Sequence, residues 1–169
     1  MTLDTRVFAG FVLAVSAVVL ATAFAAQYWG GLAPCELCIL ERWPWTAAIV
    51  IALVALFVGG RPALAPVAAL LFLAFAIGAG IAVYHVGVEQ HWYPGPSGCT
   101  ASNSAQTVEE LRRQILGTAP VLCDEVRWSL FGVSLAGWNA LASLLMAAIA
   151  AWAFLRRRRR PLVRLRRAA

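Results

Sequence analysis

Residues 34–42 read PCELCILER and place two thiols, Cys35 and Cys38, at the start of an apolar stretch. Thiols three residues apart stack on one face of a helix's first turn, close enough to form a strained, readily exchanged disulfide. The unpaired N–H groups and the positive end of the helix dipole favour the thiolate, which is the form that attacks disulfides. The pattern indicates redox chemistry. The same residues also fit half of a zinc site, a structural disulfide or two buried thiols.

The residues that follow the two thiols extend this candidate site. Arg42 lies four residues after Cys38, one helical turn further along the same face. Its charge can stabilise a thiolate or an anionic electron acceptor beside it. Pro44 frees a backbone carbonyl and can bend the helix. Trp43 and Trp45, which flank this proline, fit either a pocket wall for a flat ring or the membrane interface.

The composition is that of a membrane protein. Hydrophobic residues make up 62% of the 169 residues, 13% are charged, and the mean hydropathy is +0.76. Four apolar runs each approach the roughly 20 residues that cross a bilayer, and each is expected to be helical. The prediction is an all-α membrane protein, a four-transmembrane-helix bundle that forms one integral domain over residues 1–169. Its helices are expected at about 7–28, 36–58, 63–86 and 137–155, the first of them uncleaved.

The positions of the arginines predict the orientation of the bundle. All 14 basic residues are arginines, and eight of them lie in the tail 156–169. Because cytoplasmic segments are enriched in basic residues, both termini and the short turn at 59–62 are expected on the cytoplasmic side. The +6 net charge then reflects membrane topology, and no nucleic-acid partner is expected. The expected partner of the basic tail is anionic membrane lipid.

A single long outer loop is expected at about 87–134. It carries Cys99 and Cys123, so all four cysteines fall on the outer side, where disulfides persist. The turn-rich residues 94–98 predict that Cys99 is exposed and mobile. Apolar positions at helical spacing within 108–116 predict a short amphipathic helix on the membrane surface.

The end of the third apolar run supplies further candidate residues. His85 is the last polar group before the loop, at the expected level of Cys38 and Arg42. It is either a hydrogen-bond donor or proton shuttle for an acceptor, or a satisfied interfacial histidine. His91 lies nearer to solvent, and Glu89 is either a proton relay or a solvated loop acid.

Two cysteine pairs on one side of a membrane suit a relay by thiol–disulfide exchange. An external dithiol can attack an exposed loop disulfide, and a shielded pair at a helix mouth can pass two electrons to an acceptor dissolved in the bilayer. Since the chain has no haem ligand pair and no nucleotide motif, the location favours a lipid quinone. A metal-binding membrane protein with four cysteine ligands remains an alternative, although Cys99 and Cys123 lack the tight spacing of a zinc knuckle. A structural protein with static disulfides is another.

Several motifs together resemble the DsbB family of bacterial disulfide bond formation proteins. They are the segment 35–42, the approach to Cys99 at 93–96, the lone later Cys123, and Trp138 at the start of the last helix. The resemblance implies an inner-membrane, quinone-dependent oxidoreductase that reoxidises a periplasmic DsbA-like thiol oxidase and reduces ubiquinone or menaquinone. Vitamin K epoxide reductase-like proteins share the bundle and a quinone-like acceptor. Their loop cysteines precede the Cys-x-x-Cys pair, whereas here they follow it.

The resemblance also implies a role for each cysteine. Cys99 would form the mixed disulfide with the DsbA-like protein. Cys123 would be the cysteine to which Cys99 is disulfide-bonded in the oxidised state. Cys123 would then exchange with Cys35 and free Cys38 as the thiolate that reduces the quinone. Arg42 would bind the quinone together with Cys38, and His85 would be a further contact. No metal is expected.

Overall fold

The computed structural model describes residues 4–58, 63–96, 99, 108, 109, 112 and 121–166, and for residues 158–166 only the backbone. The elements that position the site are five helices and one hairpin. The helices are α1 (Thr5–Tyr28), α2 (Glu36–Leu40), α3 (Arg42–Val58), α4 (Leu64–Glu89) and α5 (Leu135–Arg166). The hairpin pairs β1 (Ser129–Leu130) with β2 (Val133–Ser134).

The predicted fold class is confirmed. Within the described part of the chain, four helical segments are long and apolar enough to cross a membrane, with α2 and α3 counted together as one. Helix α5 continues through the arginine block, beyond the end expected at about residue 155. Arginine is a good helix former, so the loss of apolar character does not by itself end the helix.

The bundle is held together by close packing of small side chains. Helix α4 packs along α5 and also against α3, and α3 packs against α1. Small residues let helix backbones approach closely, which is how helices associate where the solvent is itself apolar. The central aromatic contact is Trp45 edge-on to Phe75, with ring centroids 5.1 Å apart. The same core contains fully buried alanines: Ala9, Ala48, Ala52, Ala68 and Ala150.

The second span is broken at one residue. Pro44 has no N–H, and its ring excludes the carbonyl four residues earlier, which is that of Leu40. Accordingly α2 ends at Leu40 and α3 begins at Arg42, so the helix predicted over 36–58 is two segments. Glu41 occupies the joint and is only 7% exposed.

The hairpin before α5 was not predicted. Its two turn residues, Phe131 and Gly132, both have positive φ, at 54° and 77°. This is the requirement of a two-residue turn whose twist matches the strands. The loop predicted over 87–134 therefore contains the last turn of α4 and this hairpin. Of the predicted amphipathic helix, Val108, Glu109 and Arg112 are helical, and the rest lies outside the described residues.

Candidate functional site

The two thiols of the Cys-x-x-Cys motif meet at the start of α2. Cys35 is the N-cap residue, with extended backbone (φ −77°, ψ 173°), and its Sγ accepts a hydrogen bond from the Cys38 N–H at 3.2 Å. The two sulfur atoms lie 2.8 Å apart and are not bonded in a disulfide. Cys35 is buried and Cys38 is half-buried, so Cys38 is the more accessible thiol.

Hydrogen bonding lowers the pKa of the Cys35 thiol. The largest cause is the Cys38 thiol beside it, which stabilises the Cys35 thiolate by donating its proton. Backbone N–H groups at Cys38 and Leu37 act in the same direction, whereas burial and the nearby Glu41 carboxylate oppose the shift. In this dithiol arrangement the negative charge is therefore favoured on Cys35, the N-cap position.

Cys99 and Cys123 form a disulfide, with 5.1 Å between their Cα atoms. Both residues are 1% exposed, so the prediction that Cys99 is exposed is wrong. The physical reason is that the disulfide packs against the mouth of α2 and the end of α4, where its apolar sulfurs are buried. The cluster that holds it consists of Cys35, Leu37, Val88, Cys99 and Cys123, with Cys38 and Val121 against it. Both cysteine pairs thus belong to one packed unit.

His85 joins the thiols to a buried carboxylate. Its Nε2 lies 3.6 Å from the Cys35 Sγ, and its Nδ1 lies 2.7 Å from the Glu41 Oε1. The other oxygen of Glu41 accepts a hydrogen bond from the Asn139 Nδ2 at 2.7 Å, and the Asn139 Oδ1 accepts one from the Trp45 Nε1 at 2.8 Å. Three stretches of the chain, namely 35–45, α4 and α5, thereby contribute to one hydrogen-bonded line that ends at Cys35.

Arg42 is directed toward α1. Its Nη1 donates to the Gln27 Oε1 at 2.8 Å, and its guanidinium carbon lies 4.8 Å from the centre of the Phe24 ring. The expectation that Arg42 follows Cys38 on one helical face assumed an unbroken helix. Because the helix is interrupted at Glu41, the four-residue spacing does not determine whether Cys38 and Arg42 lie on the same face.

The remaining candidates near the end of α4 have different environments. The Glu89 carboxylate is half-buried and accepts a hydrogen bond from the Ser134 hydroxyl, which ties α4 to the hairpin. His91 is exposed at positive φ (58°) and lies beyond the end of the helix. Trp43 is exposed, whereas Trp45 is fully buried in the bundle core. Only Trp43 therefore presents its ring at the surface.

Sequence patterns missed Glu41 and Asn139 as parts of the site. The available signal was a lone carboxylate and a lone amide inside spans that are otherwise apolar, since polar groups at such positions mark functional sites by default. The sulfur atoms of Cys35 and Cys38 and a ring nitrogen of His85 also lie within 4.8 Å of one another, close enough that they could hold a metal ion. Cys99 and Cys123 are joined to each other, so in this structure they offer no thiolates for a four-cysteine site.

Comparisons with known proteins identify the family of this chain. The family described as disulfide bond formation protein DsbB matches residues 5–153. Disulfide bond formation protein B of Stutzerimonas stutzeri is 34% identical over 151 residues, which cover 84% of this chain and 90% of the relative. The protein of the same name from Marinobacter nauticus is 32% identical and covers 92% and 95% of the two chains. No solved structure was found to match. Similarity along nearly the whole chain, on a four-helix fold with two cysteine pairs packed together, shows that this membrane protein belongs to the DsbB family of disulfide bond formation proteins.

Proposed function

We propose that the protein is a thiol:quinone oxidoreductase of the bacterial inner membrane that reoxidises a periplasmic DsbA-like dithiol oxidase. The observation that carries this proposal is the packing of both cysteine pairs in one cluster. Disulfide exchange requires a thiolate to attack a sulfur directly, so the two pairs must come within contact of each other. Membership of the family supports an oxidoreductase role in disulfide formation.

The proposed relay consists of four exchanges and one oxidation. A partner thiolate attacks Cys99 and forms a mixed disulfide, which releases the Cys123 thiolate. Cys123 then attacks Cys35 in the oxidised Cys35–Cys38 pair and releases Cys38. The second thiolate of the partner attacks the partner sulfur of the mixed disulfide, which frees the oxidised partner and the Cys99 thiolate. Cys99 attacks Cys123, which re-forms the Cys99–Cys123 disulfide and releases Cys35. The exchanges move a disulfide without net redox change. Closing the Cys35–Cys38 disulfide from the dithiol releases two electrons and two protons, which together convert one quinone to a quinol.

The burial of Cys99 adds a requirement to the first exchange. At 1% exposure its sulfur is out of reach of a folded partner. We therefore propose that engagement of the partner separates the Cys99–Cys123 disulfide from the residues packed against it before the mixed disulfide forms. The same burial would protect the disulfide from small thiols, which favours oxidation of a specific protein partner.

The residues at the mouth of α2 fit a membrane quinone, either ubiquinone or menaquinone. Cys38 is the more accessible thiol of its pair, as the electron donor should be. Arg42, held between Gln27 and the Phe24 ring, offers a fixed positive charge and N–H donors to a carbonyl oxygen. His85 is proposed as a further contact because its ring nitrogen lies within 4.8 Å of both sulfurs. The bound quinone would supply the two-electron acceptor.

The proposed orientation follows from charge. The arginine-rich end of α5 and residues 59–62 would lie in the cytoplasm, and the cysteine cluster would then lie on the periplasmic side. Since the four cysteines form one packed unit, a single orientation serves all of them. The basic tail would then lie against anionic lipid of the inner leaflet.

A thiol-trapping experiment on the purified protein tests the function. With a reduced DsbA-like partner and a soluble quinone, the wild type should oxidise the partner while quinone absorbance falls in equal molar amount. Cys38→Ser should abolish quinone reduction, and Cys99→Ser should block oxidation of the partner. Full turnover by either variant would refute the proposed relay. Stoichiometric zinc in the purified protein, with no reducible disulfide, would favour a metal-binding function instead.

A further inference from the structure

The line of hydrogen bonds behind Cys35 has a fixed direction. The Trp45 indole can only donate, so the Asn139 atom that faces it must be the carbonyl oxygen. The Asn139 amide nitrogen consequently faces Glu41 and donates to it. An ionised carboxylate only accepts, so its second oxygen accepts the proton on the His85 Nδ1. The lone pair of Nε2 is then directed toward the Cys35 sulfur, 3.6 Å away.

This is the arrangement of an activated nucleophile. A thiol beside a histidine whose far nitrogen is held by a third polar group is a recurrent way to generate a thiolate. We propose that His85 accepts the proton of Cys35, and that Glu41 and Asn139 are positioning residues that hold His85 in the tautomer able to do so. The proposal rests on the proposed function, because it concerns the dithiol that the quinone oxidises.

The proton balance of the oxidation explains why a base is needed at Cys35. The half-buried Cys38 is the electron donor, and Cys35 must lose its proton before its sulfur can bond to that of Cys38. His85 Nε2 takes this proton, and the imidazolium that forms is stabilised by the Glu41 carboxylate. The two electrons and two protons that leave the dithiol are those that the membrane quinone takes up. After the quinol leaves, His85 is neutral again.

Burial makes a purely structural role for Glu41 costly. Its carboxylate lies inside a membrane-spanning segment, where an ionised side chain costs several kcal/mol unless it is paired. If this joint needed only packing, an apolar side chain would stabilise the bundle as well as Glu41 does. Glu41 instead receives two donors, one of them the ring that contacts the reactive thiol.

Whether the rate of Cys35 alkylation rises or falls when Glu41 is replaced distinguishes the proposed role from a simple charge effect. The Glu41 carboxylate by itself disfavours a nearby thiolate, so its removal should make Cys35 more reactive if only charge matters. If Glu41 acts by holding His85 as a base, its removal should make Cys35 less reactive. The rate of Cys35 alkylation in the fully reduced protein, followed by peptide mass spectrometry between pH 5 and 9, reports this without any quinone.

We expect Glu41→Gln to slow Cys35 alkylation at pH 7 by about tenfold or more, within the range typical of a lost general base. Asn139→Ala should slow it less, by about threefold to tenfold. Ser143→Ala is the matched control, since Ser143 is buried one turn further along α5 and its hydroxyl has no hydrogen-bond partner among the described residues. It should match the wild type. The titratable groups around His85 are Cys35, Cys38, Glu41 and Glu89, so the Cys38 rate is recorded in parallel.

A double-mutant cycle and a kinetic split complete the test. In a His85→Gln background, Glu41→Gln should cause no further slowing, because both substitutions remove the same base. With quinone, Asn139→Ala should lower kcat with an unchanged KM for quinone. If Asn139→Ala does not fold, Trp45→Phe, which removes the donor that orients Asn139 together with part of a buried ring, should also lower kcat. Unchanged or faster alkylation in Glu41→Gln would overturn the proposal. A wild type that alkylates as expected but reduces no quinone would instead refute the proposed function.

Discussion

The packing of α4 against α3 can be tested at Gly78. A Cβ atom added there would lie 3.0 Å from the Pro44 Cβ, 3.3 Å from its Cγ and 3.5 Å from the Ser143 Oγ. Carbon atoms in good contact are about 3.5–4.0 Å apart, so Gly78→Ala must displace α4 by several tenths of an ångström. Gly80 provides a matched control, because a Cβ at Gly80 has nothing within 4 Å.

The expected magnitudes follow from these two environments. Overpacking of a well-packed core costs about 1–3 kcal/mol. Replacement of a helical glycine by alanine contributes about 0.5–1 kcal/mol in the opposite direction, and does so at both positions. We therefore expect Gly80→Ala to be neutral or slightly stabilising, and Gly78→Ala to be less stable than Gly80→Ala by about 1–3 kcal/mol, which is the packing contribution alone.

The assay is equilibrium unfolding in mixed micelles titrated with dodecyl sulfate, followed by tryptophan fluorescence. His85 lies seven residues beyond Gly78, or about two helical turns, so a shift of α4 should also slow turnover in Gly78→Ala. Equal stability of the two variants would show that Pro44 and Gly78 are not in the contact described here. In that case this contact would not determine the position of α4.

Two further predictions concern the thiols and their neighbours. Arg42→Ala should raise the apparent KM for quinone by about tenfold while leaving exchange with the partner nearly unchanged, since one charged hydrogen bond is worth about 1.5–3 kcal/mol. Arg6→Ala is the control. An unchanged KM in Arg42→Ala would show that Arg42 does not bind the quinone. Cys38→Ala removes the donor that lowers the pKa of the Cys35 thiol, so this pKa should rise and alkylation of Cys35 near pH 7 should slow. Cys38→Ser keeps a hydroxyl donor and should retain most of the shift; equal pH profiles for the alanine and serine variants would contradict this cause.

The sequence was sufficient for the fold because the membrane limits the possible structures. Apolar runs of the right length must be helical where water is absent, so their number follows from hydropathy alone. The ends of the helices were less predictable. Helix α5 continues through the arginines because their propensity for helix does not depend on hydropathy. The hairpin could not be predicted because its strands form only two residue pairs around Phe131 and Gly132, and such strands are too short to show a period-two pattern.

The site was predictable in its cysteines and less so in their surroundings. Spacing in the chain identified the Cys35–Cys38 pair, since three residues within one turn fix their proximity. The burial of Cys99 depends on how the loop packs against α2 and α4, a tertiary contact that the turn-rich composition around it does not encode. Likewise, the direction of Arg42 depends on the break at Glu41.

Pro44, which breaks the second span, also helps to position Glu41 and His85. Pro44 excludes the Leu40 carbonyl from the helical ladder, and Glu41 lies at the joint that results. The Pro44 ring also packs against Gly78, which lets α4 approach until His85 is 2.7 Å from Glu41. A bulkier residue at 78 would widen this gap, and a residue other than proline at 44 would allow the helix to close across the joint. Contact between one proline and one glycine thus sets the distance between a carboxylate and a histidine two turns nearer to the thiols.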